Sequence, residues 1–132
     1  PCSVSYSTVV SVSLNAATAI TGQPSATAQT YCINGTPTDL SVTATGAGLS
    51  YQWYSNTTAS TTGASLIAGA AAATYSPDTT GVSALYYYCV VSSSCSSVTS
   101  NFSEGEVVPI PTFPPLLKIV LLLTTQLLPF HV

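Results

Sequence analysis

Between residues 3 and 14 the even positions carry Val4, Tyr6, Thr8, Val10, Val12 and Leu14, and the odd positions carry serine except at Val9. A two-residue period places one set on one face of a pleated strand. The pattern therefore predicts a single half-buried strand, roughly 40 Å long at ~3.3 Å per residue. Such a strand is not stable alone, because its apolar face needs a sheet to cover it. Beyond it, residues 15–39 are looser: Gln23-Pro24 breaks the chain, Tyr31-Cys32-Ile33 predicts a short edge strand, and Asn34-Gly35 predicts a turn. Alternation returns in Leu40-Ser41-Val42-Thr43-Ala44 and, after Gly46-Ala47-Gly48, in Leu49-Ser50-Tyr51-Gln52-Trp53-Tyr54. Short strands are expected near Leu66-Ile67 and Ala73-Thr74-Tyr75. A turn follows over 77–81, then a Tyr-rich hydrophobic strand over 84–91 and a last strand over 97–108.

Composition supports the same class. The chain holds 20 Ser and 20 Thr against four acids, one Lys and no Arg, and helix-favouring residues are scarce before the last twenty positions. The fold class is all-β, with about enough apolar residues for one sandwich core.

A formal charge of −3 with Lys118 as the single cation excludes binding to nucleic-acid phosphates and electrostatic docking on anionic membranes. It also leaves little colloidal repulsion against self-association. Four cysteines, no C-x-x-C pair and one histidine point to disulfides in an exported protein rather than to a metal site. Pro1-Cys2 carries no signal-peptide pattern, so the chain reads as processed or cut from something larger.

Catalysis needs a base, an acid or a metal in a pocket. His131 sits next to the C-terminus, and no second His activates any of the serines or threonines. Glu104 and Glu106, with Asp39 and Asp78, match no recognised calcium loop. The expectation is a non-catalytic protein without cofactors or metals.

Trp53 followed by Tyr86-Tyr87-Tyr88-Cys89 resembles the core signature of an immunoglobulin-like sandwich: a buried Trp on the third strand, and a Tyr two residues before the sixth-strand Cys whose hydroxyl bonds back to the preceding turn. By spacing from Trp53, the usual second-strand cysteine falls at or near Val42, leaving Cys89 without its normal partner. That architecture brings first and last strands together, which implies a Cys32–Cys95 bridge and leaves the partners of Cys2 and Cys89 open. The runs Gln29-Thr30-Tyr31-Cys32-Ile33-Asn34-Gly35-Thr36, Tyr51-Gln52-Trp53-Tyr54 and Tyr86-Tyr87-Tyr88-Cys89-Val90-Val91 are similar to the tandem immunoglobulin-like repeats of large Bacteroidetes surface, adhesin and gliding-associated proteins. The resemblance covers about residues 20–108. It implies a secreted, cell-surface structural module, and no particular ligand.

Three parts follow: an N-terminal strand (1–14), an immunoglobulin-like domain (15–108), and a Pro-rich linker with an apolar C-terminal segment (109–132). Cys2-Ser3-Val4-Ser5 is echoed by the stretch from Cys95 to Ser100, so residues 1–14 read either as a donor strand or as the last strand of a preceding repeat. Strand donation through Val4, Tyr6, Thr8, Val10, Val12 and Leu14 would link subunits head to tail into an extracellular filament or surface array. The rival function is an adhesin module, with Tyr54, Tyr86 and Tyr88 stacking on glycans. The apolar run over 116–123 is too short to span a bilayer and favours subunit contact. Asp78-Thr79-Thr80 resembles a Bacteroidetes O-glycosylation signal, with Thr79 as the acceptor.

Overall fold

The computed structural model describes residues 2–109. Among them there is no helix, and ten strands form β1 (Ala19–Gly22), β2 (Gln29–Cys32), β3 (Leu40–Ser41), β4 (Thr43–Thr45), β5 (Ser50–Asn56), β6 (Ser65–Leu66), β7 (Thr74–Tyr75), β8 (Ser83–Ser92), β9 (Ser97–Thr99) and β10 (Ser103–Val108). The larger sheet runs β2-β10-β8-β5-β6, with β9 pairing the far end of β8. β1 pairs with β4 and β3 with β7. β3 and β4 are one run around Val42, whose N–H donates to the Ala73 carbonyl at 2.9 Å.

The core lies between these layers, an arrangement consistent with a β-sandwich. Leu40 and Val42 come from one side, and Trp53, Tyr87, Cys89 and Val91 from the other. β8 forms the centre of the large sheet because it is apolar on both faces. It pairs antiparallel with β5 over seven positions, setting Trp53 opposite Cys89, and with β10 along its first half. β10 alternates as its burial requires: Ser103, Gly105 and Val107 point inward. A Cβ on Gly105 would sit 3.1 Å from the Tyr87 ring, so glycine at this position lets that ring lie flat on the strand.

The expected last strand over 97–108 is two strands. Between them Ser100 is drawn into the ladder: its N–H donates to the Cys89 carbonyl, and its hydroxyl accepts the Cys89 N–H, both at 2.9 Å. The edge strand expected at Tyr31-Cys32-Ile33 is β2, which runs parallel to β10. β1 carries little apolar signal (Ala-Ile-Thr-Gly) and has no counterpart in the sequence reading.

The strand expected over 3–14 is not formed among the described residues. Residues 2–17 are exposed and belong to no sheet, because the alternating face has found no partner here. Residues 110–132, with the apolar run and His131, lie outside the described residues.

Candidate assembly surfaces

The two ends of β8 define two poles. Its ten residues span about 30 Å at ~3.3 Å each. At one pole β8 turns into β9, and there Thr18 is buried: its N–H donates to Ser96 Oγ at 3.2 Å, and its hydroxyl donates to Ser93 Oγ at 2.7 Å. Thr18 thus marks where the exposed segment 2–17, here called the arm, joins the body. At the other pole Val107 pairs with Ser83, Cys32 pairs with Val108, and the Asn34 N–H donates to the Thr79 carbonyl. The chain enters the body at the hairpin pole and leaves it at the opposite, exit pole.

Large apolar side chains are exposed in two places only among the described residues. Six lie on the arm: Val4, Tyr6, Val9, Val10, Val12 and Leu14, each at least 70 % exposed. The other two, Leu66 and Val82, both line one groove of 460 Å³ on the flank of the body. β6 and β7, two residues each, are the end strands of their sheets on that flank. Ile67, Tyr75, Leu85 and Tyr87 form the deeper wall. A short edge strand on each side leaves the interior side chains beneath incompletely covered. Burial and the neighbouring Tyr75, Asp78 and Tyr31 push the Tyr87 phenol up to about 12.

All four cysteines are unbridged. Cys32 lies at the exit pole and Cys95 in the β8–β9 turn at the hairpin pole. The poles are about 30 Å apart, whereas a disulfide needs Cα atoms within about 7 Å, so the expected Cys32–Cys95 bridge does not form within one body. Cys89 is buried in the core, where burial pushes its thiol up and keeps it unreactive. Cys2, Cys32 and Cys95 are exposed.

Residues 20–109 match the model of a family described as a domain of unknown function, DUF8696. The chain belongs to the DUF8696 family. No match was found among curated proteins. The DUF8696 match starts inside β1 and ends one residue past β10, leaving the arm outside it.

Within the DUF8696 body, Trp53 is fully buried. Its indole N–H donates to the Ala72 carbonyl at 2.9 Å, and its ring stacks on Tyr75 at 5.8 Å. Tyr87 is buried beside it, yet its hydroxyl makes no hydrogen bond to the preceding turn. The hydroxyl-to-backbone clasp belongs instead to Tyr31, which accepts from the Thr38 N–H at 3.3 Å and faces the Thr38 carbonyl at 3.4 Å. Thr79 is not available as a glycan acceptor. It is buried, and its hydroxyl donates to the Gly35 carbonyl at 2.7 Å, closing the exit pole. On the outer face of the large sheet, Tyr88 is buried between Tyr54, stacked at 5.2 Å, and the Phe102 edge at 5.4 Å. These rings cover one another rather than standing open.

Sequence reasoning singled out the arm but not the groove. Val82 falls in the irregular stretch just before β8 and Leu66 in a two-residue strand, so neither belongs to a periodic run. Only their exposure in the folded body marks them.

Proposed function

We infer that this chain is a non-catalytic structural subunit of an extracellular filament or surface array, built on an immunoglobulin-like module and joined head to tail by donation of its N-terminal strand. The observation that carries this reading is the arm: a strand-patterned segment with six exposed apolar side chains, unpaired among the described residues and leaving the body at the pole opposite the chain's exit. A one-faced alternating strand finds its cover on another sheet. Links between opposite poles propagate an open assembly rather than a closed pair.

The immunoglobulin-like part of the reading is supported by strand order. β1, β3–β4 and β7 follow one another in one layer, β2-β10-β8-β5-β6 in the other, and β2 lies parallel to the last strand. Val42 packs with Cys89 in the core where a second-strand cysteine would stand. The resemblance to Bacteroidetes surface repeats agrees with this order and favours a secreted, cell-surface location. The adhesin reading draws no support from Tyr88, which is already enclosed by Tyr54 and Phe102, while Tyr86 is half-buried.

Negative-stain imaging and sizing of the chain, beside a version lacking residues 1–14, tests the reading. Filaments from the intact chain and none from the shortened one are expected. Monomers from both would leave a spacer or adhesin module in its place.

A further inference from the structure

Resting on the strand-donation reading, we propose that the arm of one copy seats in the flank groove between β6 and β7 of a second copy, its Val4–Tyr6–Val10–Val12–Leu14 face against Leu66 and Val82. Three observations converge on this pairing. Apart from the arm, the body's exposed large apolar side chains are the two in the groove. The groove lies between the edges of both layers, where an added strand extends a sheet and its side chains cover the half-buried Leu85 and Tyr75. And the arm carries no charge over residues 2–17, so it brings no ion to be desolvated; the groove's single charged lining residue, Asp78, is met only by neutral side chains.

The geometry selects a second copy over the arm's own body. The arm starts at the hairpin pole, held by Thr18, whereas Thr80, Gly81, Val82 and Ser83 place the groove's mouth at the exit pole. Reaching it from Thr18 means turning back along about 30 Å of body. That uses about nine residues of extended chain, so Leu14, Val12 and Val10 would be spent on the way. Only a groove on another copy meets the whole apolar face. The link then joins the hairpin pole of one copy to the exit pole of the next.

The test uses three full-length variants: Val10→Asp on the arm, Leu66→Asp with Val82→Asp in the groove, and Thr62→Asp on an exposed polar loop as a control for added charge. Thermal unfolding verifies that each is folded; Leu66 and Val82 are 56 % and 63 % exposed and hold no part of the core. By sedimentation velocity, the native chain and the Thr62→Asp control polymerise. The arm and groove variants alone stay monomeric, with association at least ~10-fold weaker, since each presents a charge to an apolar contact. Mixed in equal amounts, these two form a one-to-one dimer and nothing larger: one intact arm meets one intact groove, and both remaining surfaces are blocked. A synthetic peptide of residues 3–14 shortens native polymers, and its Val10→Asp counterpart does not.

Polymers from the native chain, with no dimer in the mixture, would overturn the arm–groove pairing and leave the assembly reading standing. So would an arm variant that polymerises normally while the groove variant fails, which would assign the groove to another segment such as 116–123. A native chain that stays monomeric at all concentrations would overturn the assembly reading and this pairing together.

Discussion

The arm and β8 are of similar length, and both place apolar side chains at alternate positions, but they end in opposite states. β8 pairs with β5 on one side and with β10 and β9 on the other, and its inward residues Tyr87, Cys89 and Val91 are buried. The arm pairs with nothing among the described residues, and its Tyr6 and Leu14 stand 88 % and 96 % exposed. The difference lies on the second face. In β8 the outward positions are Ala84, Tyr86, Tyr88 and Val90, so the strand is driven to the middle of a sheet. In the arm nearly every outward position is serine, so one face is content in water and the other waits for cover. Period states which residues share a face. It does not state which sheet supplies the cover.

The largest expected effect tests whether β8 owes its state to the residues it packs against. Trp53 faces Cys89 across the β5–β8 pair and is fully buried, with its indole N–H bonded. Trp53→Ala should cost about 3–5 kcal/mol by opening a cavity and leaving the Ala72 carbonyl unpaired. Urea denaturation measures it, and a loss below about 1 kcal/mol would mean that the core does not centre on this residue.

Nearly as large, and opposite in sign, is the effect of restoring a bridge between the layers. Val42 and Cys89 belong to the same buried cluster, 47 residues apart in the chain. Val42→Cys should oxidise with Cys89 and stabilise the body by up to about 4 kcal/mol in the chain-entropy model. Thiol titration distinguishes the outcomes: three free thiols among the variant's five cysteines mark the bridge. Five free thiols after oxidation in a folded variant would show that these positions do not face each other as the immunoglobulin-like reading requires.

A smaller effect, on the order of 2 kcal/mol, appears at high pH. The Tyr87 phenol is held up to about 12, with burial as the main cause, against about 10 in an unfolded chain. Below pH 10 both states keep the proton and the contribution is complete. Between 10 and 12 the unfolded chain releases it while the folded chain retains it, so stability falls as pH rises through that window. Tyr75 and Tyr88 are raised too and act in the same direction. Tyr87→Phe should flatten the alkaline slope of the urea midpoint. An unchanged slope would assign the loss to other groups.

These residues also show where sequence reading succeeds. Trp53, Tyr87 and Val42 were legible because each sits in a run whose period fixes its face, and turn residues such as Asn34, at φ 59°, announce themselves chemically. Cys32 and Cys95 misled because strand neighbourhood was taken without direction. β2 runs parallel to β10, which carries Cys32 to the exit pole, while Cys95 stays in the turn that opens β9. Thr79 misled because a short polar motif says nothing about burial. The groove was invisible for a more basic reason. It is a place where two edge strands stop after two residues, and a missing strand leaves no residues to read.

The smallest expected effect is the one that separates arm from body most sharply. If residues 2–17 contribute no packing to their own body, then Val10→Asp and Tyr6→Ser should each leave the unfolding free energy of the isolated monomer within about 0.5 kcal/mol of the native chain. The measurement belongs at concentrations low enough that self-association adds nothing, because a partner that binds only the folded state would raise apparent stability by mass action. As concentration rises, the native midpoint should climb while that of Val10→Asp stays flat. That divergence, absent in dilute solution and growing with concentration, is what an arm folding only on another copy produces. A loss in dilute solution would instead mean that the arm already covers part of its own body.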